Sequence, residues 1–296
     1  MSWLQLRLDT HPEQVETLEA LMLEAGAVAV TMEDNADQPV LEPGVGETPL
    51  WRQTRLTGLY PADTDMAAVL ADFPPELVAD CRARVEILED KDWEREWMQH
   101  YQPMRFGERL WVCPSWLAPP QPDAINLLLD PGLAFGTGTH PTTAMCLAAL
   151  DGLPLTDREV VDYGCGSGIL AVAALKLGAR RALGVDNDPQ ALVATRDNAQ
   201  RNGIAPQALV TALPGAAAID PWRERADVVV ANILAGPLAE LSDTLLALAR
   251  PGATVLLSGL LASQADTLRE HYRDRLALDI AAQQEEWVCL KGVMPV

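Results

Sequence analysis

Residues 160–170 read Val160-Val161-Asp162-Tyr163-Gly164-Cys165-Gly166-Ser167-Gly168-Ile169-Leu170, an apolar run, then alternating glycines, then apolar residues again. The first part suits a strand and the last opens a helix, so the glycines occupy the turn between them. Glycine there lets the backbone come close to a ligand, and the free N–H groups of a helix start favour a carboxylate or phosphate. Asp186 closes the next strand candidate, 22 residues beyond Gly164. An acid at that spacing, on the tip of a second strand, is placed to accept hydrogen bonds from ribose hydroxyls. Two cofactor classes use such a turn. Gly166-x-Gly168-x-x-Ala171 fits the looser dinucleotide fingerprint, so an NAD-dependent oxidoreductase stays open. Against it stands the Gly-x-Gly-x-Gly spacing, with Asp162 two residues ahead of the first glycine. A purely structural turn is the third reading. Cys165 reads as a tolerated small residue rather than a nucleophile.

Working outward, strands and helices alternate, the mark of a doubly wound parallel α/β sheet. Strand 160–163 leads to helix 169–177, strand 182–186 to helix 189–201, strand 227–231 to helix 236–249, and strand 253–257 to helix 262–273. Residues 276–282 and 287–293 follow each other without a helix, so the sheet is expected to close on an antiparallel strand. Residues 204–222, rich in Ala and Pro, carry no legible pattern. Upstream, 1–90 alternate differently. A strand from Trp3 precedes a helix opened by Pro12, with Val15, Leu18, Leu21 or Met22, and Ala25 on one face and Gly26 as its stop. Strand 27–32, a Pro- and Gly-rich loop over 37–49, strand 51–60, helix 65–80 and strand 83–89 follow. That order is βαββαβ, two helices on a small antiparallel sheet. Residues 91–104 place Trp93, Trp97 and Tyr101 four apart ahead of Pro103, as a helical connector between domains 1–90 and 105–296 or as an ordinary packed helix.

Two further clusters carry polar residues where ligands sit in such sheets. Phe135-Gly136-Thr137-Gly138-Thr139-His140-Pro141-Thr142-Thr143 precedes a helix at 143–150 and lies one element before the glycine turn. It reads as a capping segment or as a lid over a ligand. It lacks the lysine and spacing of a phosphate-binding P-loop. Asn232 closes an apolar strand, at the carboxyl end where such sheets bind ligands. The five cysteines and four histidines are scattered without ligand spacing, so neither a zinc site nor a disulfide framework is expected. No run of about 18 apolar residues predicts a membrane span, and the start does not read as a signal peptide; a cytoplasmic protein is expected.

The 296 residues carry a formal net charge of −20, with 49% hydrophobic and 22% charged residues. Residues 1–90 hold 18 acidic and 5 basic side chains, a net of −13, leaving −7 for the remainder. So acidic a chain is poorly suited to grip nucleic acid or an anionic membrane, and better suited to a basic or neutral partner; the ordinary acidity of a soluble surface is the other reading.

Asp162-x-Gly164-x-Gly166-x-Gly168 resembles motif I of class I S-adenosylmethionine methyltransferases, and the closing strand pair resembles their terminal hairpin. Further stretches narrow the likeness: Asp92-Trp93-Glu94-Arg95-Glu96-Trp97, the run Phe106 to Trp116, Asp130 to Thr143, Ala231-Asn232-Ile233-Leu234-Ala235-Gly236, and Leu257 to Gln264. With these the chain resembles, nearly end to end, the bacterial methyltransferases that modify large-subunit ribosomal protein eleven. That resemblance implies a seven-stranded class I sheet with its last strand antiparallel, beside a ferredoxin-like N-terminal domain. It implies that Thr143, Gly164, Asp186 and Asn232 contact S-adenosylmethionine, with Phe135, Thr139, Asp162, Gly166 and Gly168 in the same site and no metal. It implies that 1–90 recognises the ribosomal protein, and that lysine side chains and an N-terminal α-amino group receive methyl groups. A small-molecule or nucleic-acid methyltransferase and a non-catalytic binding module are the other readings.

Overall fold

The computed structural model describes residues 2–36, 38, 40, 49–78, 81–88, 101–130 and 140–296. It divides into two units, Met1–Met98 and Gln99–Val296. The expected connector over 91–104 falls largely outside the described residues, as does most of the loop at 37–49.

In the first unit, β1 (Trp3–Thr10), β2 (Ala29–Asp34), β3 (Thr54–Pro61) and β4 (Arg82–Leu88) form an antiparallel sheet in the order β2-β3-β1-β4. With helix α1 (Pro12–Glu24) after β1 and α2 (Met66–Ala71) after β3, this is the ferredoxin-like arrangement that the sequence predicts. Alternate strand residues Leu6, Leu8, Leu56 and Tyr60 meet Val15, Leu18 and Met22 of α1 and Met66 and Val69 of α2 in one core. Several boundaries differ from expectation, β3 among them, which begins at Thr54 rather than at 51. β2 starts two residues late, because Gly26 at φ +95° and the Ala27 N–H, bonded to Met22 O, still belong to the helix-ending turn. The helix expected over 65–80 breaks into α2 and the short α3 (Pro75–Val78), since Pro74 and Pro75 withhold the N–H groups that would continue it.

The second unit begins with a three-stranded sheet absent from the sequence reading: β5 (Met104–Phe106), β6 (Leu110–Cys113) and β7 (Ile125–Leu128), with β5 and β6 antiparallel and β6 and β7 parallel. Helix α4 (Pro141–Asp151) leads into the main sheet. Its strands are β8 (Glu159–Tyr163), β9 (Arg181–Val185), β10 (Leu209–Ala212), β11 (Ala226–Asn232), β12 (Ala249–Leu261), β13 (Leu278–Gln284) and β14 (Trp287–Val293). Their order is β10-β9-β8-β11-β12-β14-β13, and β14 runs antiparallel to both neighbours. The fold expectation holds, including the reversed last strand. Helices α5 (Ile169–Lys176), α6 (Pro189–Arg201), α7 (Ala235–Glu240), α8 (Ser242–Leu248) and α9 (Ala262–Tyr272) cross between strands. All five residues of β8 are buried, as a central parallel strand covered on both faces requires.

The illegible stretch 204–222 holds β10 and a 3-10 turn at Ala217–Trp222. The single helix expected over 236–249 is two, divided at Leu241. The Ser242 hydroxyl at the second start lies 3.0 Å from His271 Nε2 of α9 and accepts from Arg275, so a tertiary contact pins the break. Among the described residues no helix is long and apolar enough to cross a membrane.

Candidate functional site

The order β9-β8-β11 places the reversal of the winding between β8 and β11, and the crevice beyond their carboxyl ends is where open α/β sheets take ligands. The turn Gly164–Gly168 fills this position. Its N–H groups at Gly164 and Cys165 bond to Val185 O at 2.7 and 3.0 Å, tying the turn to the end of β9. All three glycines have positive φ: 79°, 52° and 76°. A Cβ at Gly164 would stand 2.2 Å from Ile233 Cγ2, and one at Gly168 2.6 Å from Thr195 Cγ2. The turn therefore needs glycine for both backbone conformation and space.

Asp186, just past β9, turns its carboxylate toward the same turn. Oδ2 accepts from the Gly166 N–H at 2.8 Å, and Oδ1 from the Asp188 N–H at 3.0 Å. A carboxylate oxygen has two lone pairs, so each keeps capacity for a hydroxyl donor. Asp162 lies within β8 at 0% exposure, and its Oδ2 accepts from the Ala171 N–H of α5 at 3.0 Å. Its Oδ1 is buried without a partner. On the other side of the turn, Asn232 Nδ2 donates to Thr143 Oγ1 at 3.1 Å, joining the tip of β11 to the first turn of α4.

Thr143, Gly164, Asp186 and Asn232 thus lie on four neighbouring elements at one end of the main sheet, with Asp162, Gly166 and Gly168 among them. Phe135 and Thr139 lie outside the described residues. Thr143 is 1% exposed, so its hydroxyl serves this site by holding Asn232.

Several supporting residues escaped the sequence reading. Thr195 of α6 donates to Gly166 O at 3.0 Å, and Asn198 to Ser167 O at 2.8 Å. Three apart on one helix and both buried, they form a polar stripe where an apolar one is expected, and that is the signal that would have found them. Asn202 bonds both backbone groups of Leu128, at 2.7 and 2.8 Å. Asp130, two residues on, accepts from Ser115 N and Oγ and from Arg201. Together they secure the chain leading into the threonine-rich segment. At the far end of that segment His140 caps α4, accepting from the Thr142 N–H. Burial holds its imidazole below the ordinary pKa, against the opposing charge of Glu285.

These residues fit the cofactor that the motif implies. A glycine turn with no room for a Cβ admits a ligand backbone-close, Asp186 suits ribose hydroxyls, and a buried carboxyl oxygen without partner suits a ligand carrying positive charge. Among the described residues no group of three His, Cys, Asp or Glu is placed to hold a metal ion.

Comparison with known proteins places the chain in a family. A family profile described as ribosomal protein L11 methyltransferase (PrmA) matches residues 2–295. A curated protein of that name from Edwardsiella ictaluri is 55% identical over 295 residues, covering 99% of both chains. One from Pseudomonas aeruginosa is 56% identical over 293 residues, covering 99% of this chain and 98% of its own. The crystal structure of ribosomal protein L11 methylase from Lactobacillus delbrueckii subsp. bulgaricus superposes with a TM-score of 0.58 at 29% identity, over 66% of this chain and 100% of that one.

Proposed function

The chain belongs to the ribosomal protein L11 methyltransferase (PrmA) family, and on that premise we propose that its strand-tip cluster holds S-adenosylmethionine while amines of L11 accept the methyl group. The enzyme is an S-adenosylmethionine-dependent methyltransferase and L11 is its substrate. The observation that carries the site assignment is the convergence of the glycine turn, Asp186 and the Thr143–Asn232 pair at the carboxyl ends of β8, β9 and β11.

The bound cofactor supplies an electrophilic methyl on a sulfonium. Asp186, which keeps the turn in register through the Gly166 N–H, would receive the ribose hydroxyls. Asn232, held by Thr143 at the tip of β11, would stand beside the cofactor where the amine substrate would be received. The accepting amine must be unprotonated. Lysine titrates near ~10.4 and an α-amino group near ~8 in water, so an apolar enclosure that favours the neutral form aids the reaction. In-line positioning then supplies much of the rate.

The lysine side chains and N-terminal α-amino group of L11 are the proposed acceptors, and residues 1–90 the proposed recognition domain. Their net −13 suits a cationic substrate and supports a reading without direct nucleic-acid contact. The site of action is then the cytoplasm. The test is incubation with methyl-labelled S-adenosylmethionine and purified ribosomal proteins and RNA, followed by peptide mass analysis. Label on L11 amines is expected; label on RNA, or on other proteins in place of L11, overturns the reading.

A further inference from the structure

Asp162 is the one buried carboxylate of the site whose charge nothing described on the protein balances. It is 0% exposed; one oxygen takes the Ala171 N–H, and the other has no partner. The groups facing it from the surrounding elements are Asp186 beyond β9, Cys165 in the turn, and the free thiol of Cys146 of α4, which lies within hydrogen-bond reach of the free thiol of Cys289 of β14. Its register neighbours are Gly184 on β9 and Val230 on β11. None is a cation, and no ion pair reaches Asp162 or Asp186 among the described residues. A lone buried carboxylate beside a second one is costly, and such a group sheds its charge by taking up a proton. Burial, reinforced by Asp186 and opposed by the Ala171 N–H, pushes the Asp162 carboxyl up to about 7.

Resting on the reading of this turn as the S-adenosylmethionine site, we propose that Asp162 couples cofactor binding to a proton, being protonated in the ligand-free enzyme and ionised beneath the bound cation. The ligand carries an ammonium and a sulfonium against one carboxylate, so it brings a net positive charge to a site that has none. On binding, the carboxyl O–H bond of Asp162 breaks heterolytically and the proton passes to the buffer; no oxidant or reductant takes part. Binding that lowers the pKa of a group must strengthen as pH rises toward the pKa of the free form, and level off above it. This makes Asp162 a positioning residue with a pH signature that a purely structural carboxyl would lack.

Isothermal titration of the full-length protein with S-adenosylmethionine tests this. Affinity is expected to weaken about tenfold or more from about pH 7.5 to about pH 5.5. Near pH 6.5, heats in buffers of different ionisation enthalpy should show more than half a proton released per ligand, by the same linkage. Asp162→Asn, which still offers an oxygen to the Ala171 N–H, should release no proton and bind with little pH dependence. On the wild-type protein, infrared difference spectra should show a protonated carboxyl band disappear on binding, a reading that needs no variant. A flat affinity profile with buffer-independent heats overturns the proposal and leaves the cofactor reading standing. Undiminished proton release in Asp162→Asn overturns the assignment to this residue. Absence of binding at every pH overturns the cofactor reading and the proposal with it.

Discussion

Asp186 does two jobs with one carboxylate: it holds the glycine turn by the Gly166 N–H and leaves lone pairs free for hydroxyl donors. Asp186→Ala should therefore weaken S-adenosylmethionine binding by roughly 1–3 kcal/mol, read as a rise in Kd. Gly168 shows the opposite kind of constraint, since what matters is the absence of a side chain. A Cβ there meets Thr195, which is fully buried and bonded to Gly166 O, so it cannot step aside. Gly168→Ala combines a left-handed backbone with overpacking, and the expected loss is about 2–4 kcal/mol in denaturant titration. Asp162 predicts a pH effect on stability. Its folded pKa of about 7 lies above the model-compound 3.8, so the native state binds the proton more tightly. The stability it contributes is present at acidic pH and is lost as pH rises through about 7. The difference in melting temperature between Asp162→Asn and wild type, without ligand, should thus shift in favour of the variant from pH 5 to pH 8. The positions of Asp186 and Asn232 at one end of the sheet were legible because each closes a strand. Thr195 and Asn198 were hidden, because a polar residue on a helix ordinarily marks the solvent face.

At the scale of elements, hydrophobic period and punctuation located most of the sheet. α6 begins at Asp188-Pro189 and β14 occupies the range expected, because each has a clear stop signal at both ends. β5, β6 and β7 were missed because each is only three or four residues long, too short for alternation to register. α7 and α8 merged in the reading because no Gly or Pro separates them, and the break at Leu241 is held by side chains from α9 and beyond. Asn202 is the cross-element brace with the clearest consequence. It substitutes for a neighbouring strand along Leu128, bonding both its N–H and its C=O. Asn202→Ala leaves these backbone groups without their partner and should cost about 1–3 kcal/mol in thermal or denaturant unfolding. It should also weaken S-adenosylmethionine binding if the chain leading from β7 forms part of the site wall.

The whole molecule divides its charge as it divides its structure. On the first unit's sheet, Arg55 pairs with Asp9 at 2.6 Å and Arg7 with Glu86 at 3.1 Å. Glu13, Glu16 and Glu24 of α1 stand exposed. If this unit recruits a cationic protein, the apparent KM for L11 should rise with salt as exposed charges are screened, while cofactor affinity changes little. A chain beginning at Gln99 should still bind cofactor and lose most L11 methylation; undiminished methylation would refute the recognition role of residues 1–90. The change of pattern near residue 90 suggests a boundary there, whereas the two compact units divide between Met98 and Gln99. The composition there places a boundary without saying what either side binds. The measurement that bears most directly on the account is the intact mass of L11 after incubation with S-adenosylmethionine and either the wild-type enzyme or Asp186→Ala. Mass gains in whole methyl steps are expected with the wild type, and a strongly reduced gain at limiting cofactor with the variant. An unchanged L11 mass with the wild-type enzyme, or equal gains with both, would contradict it.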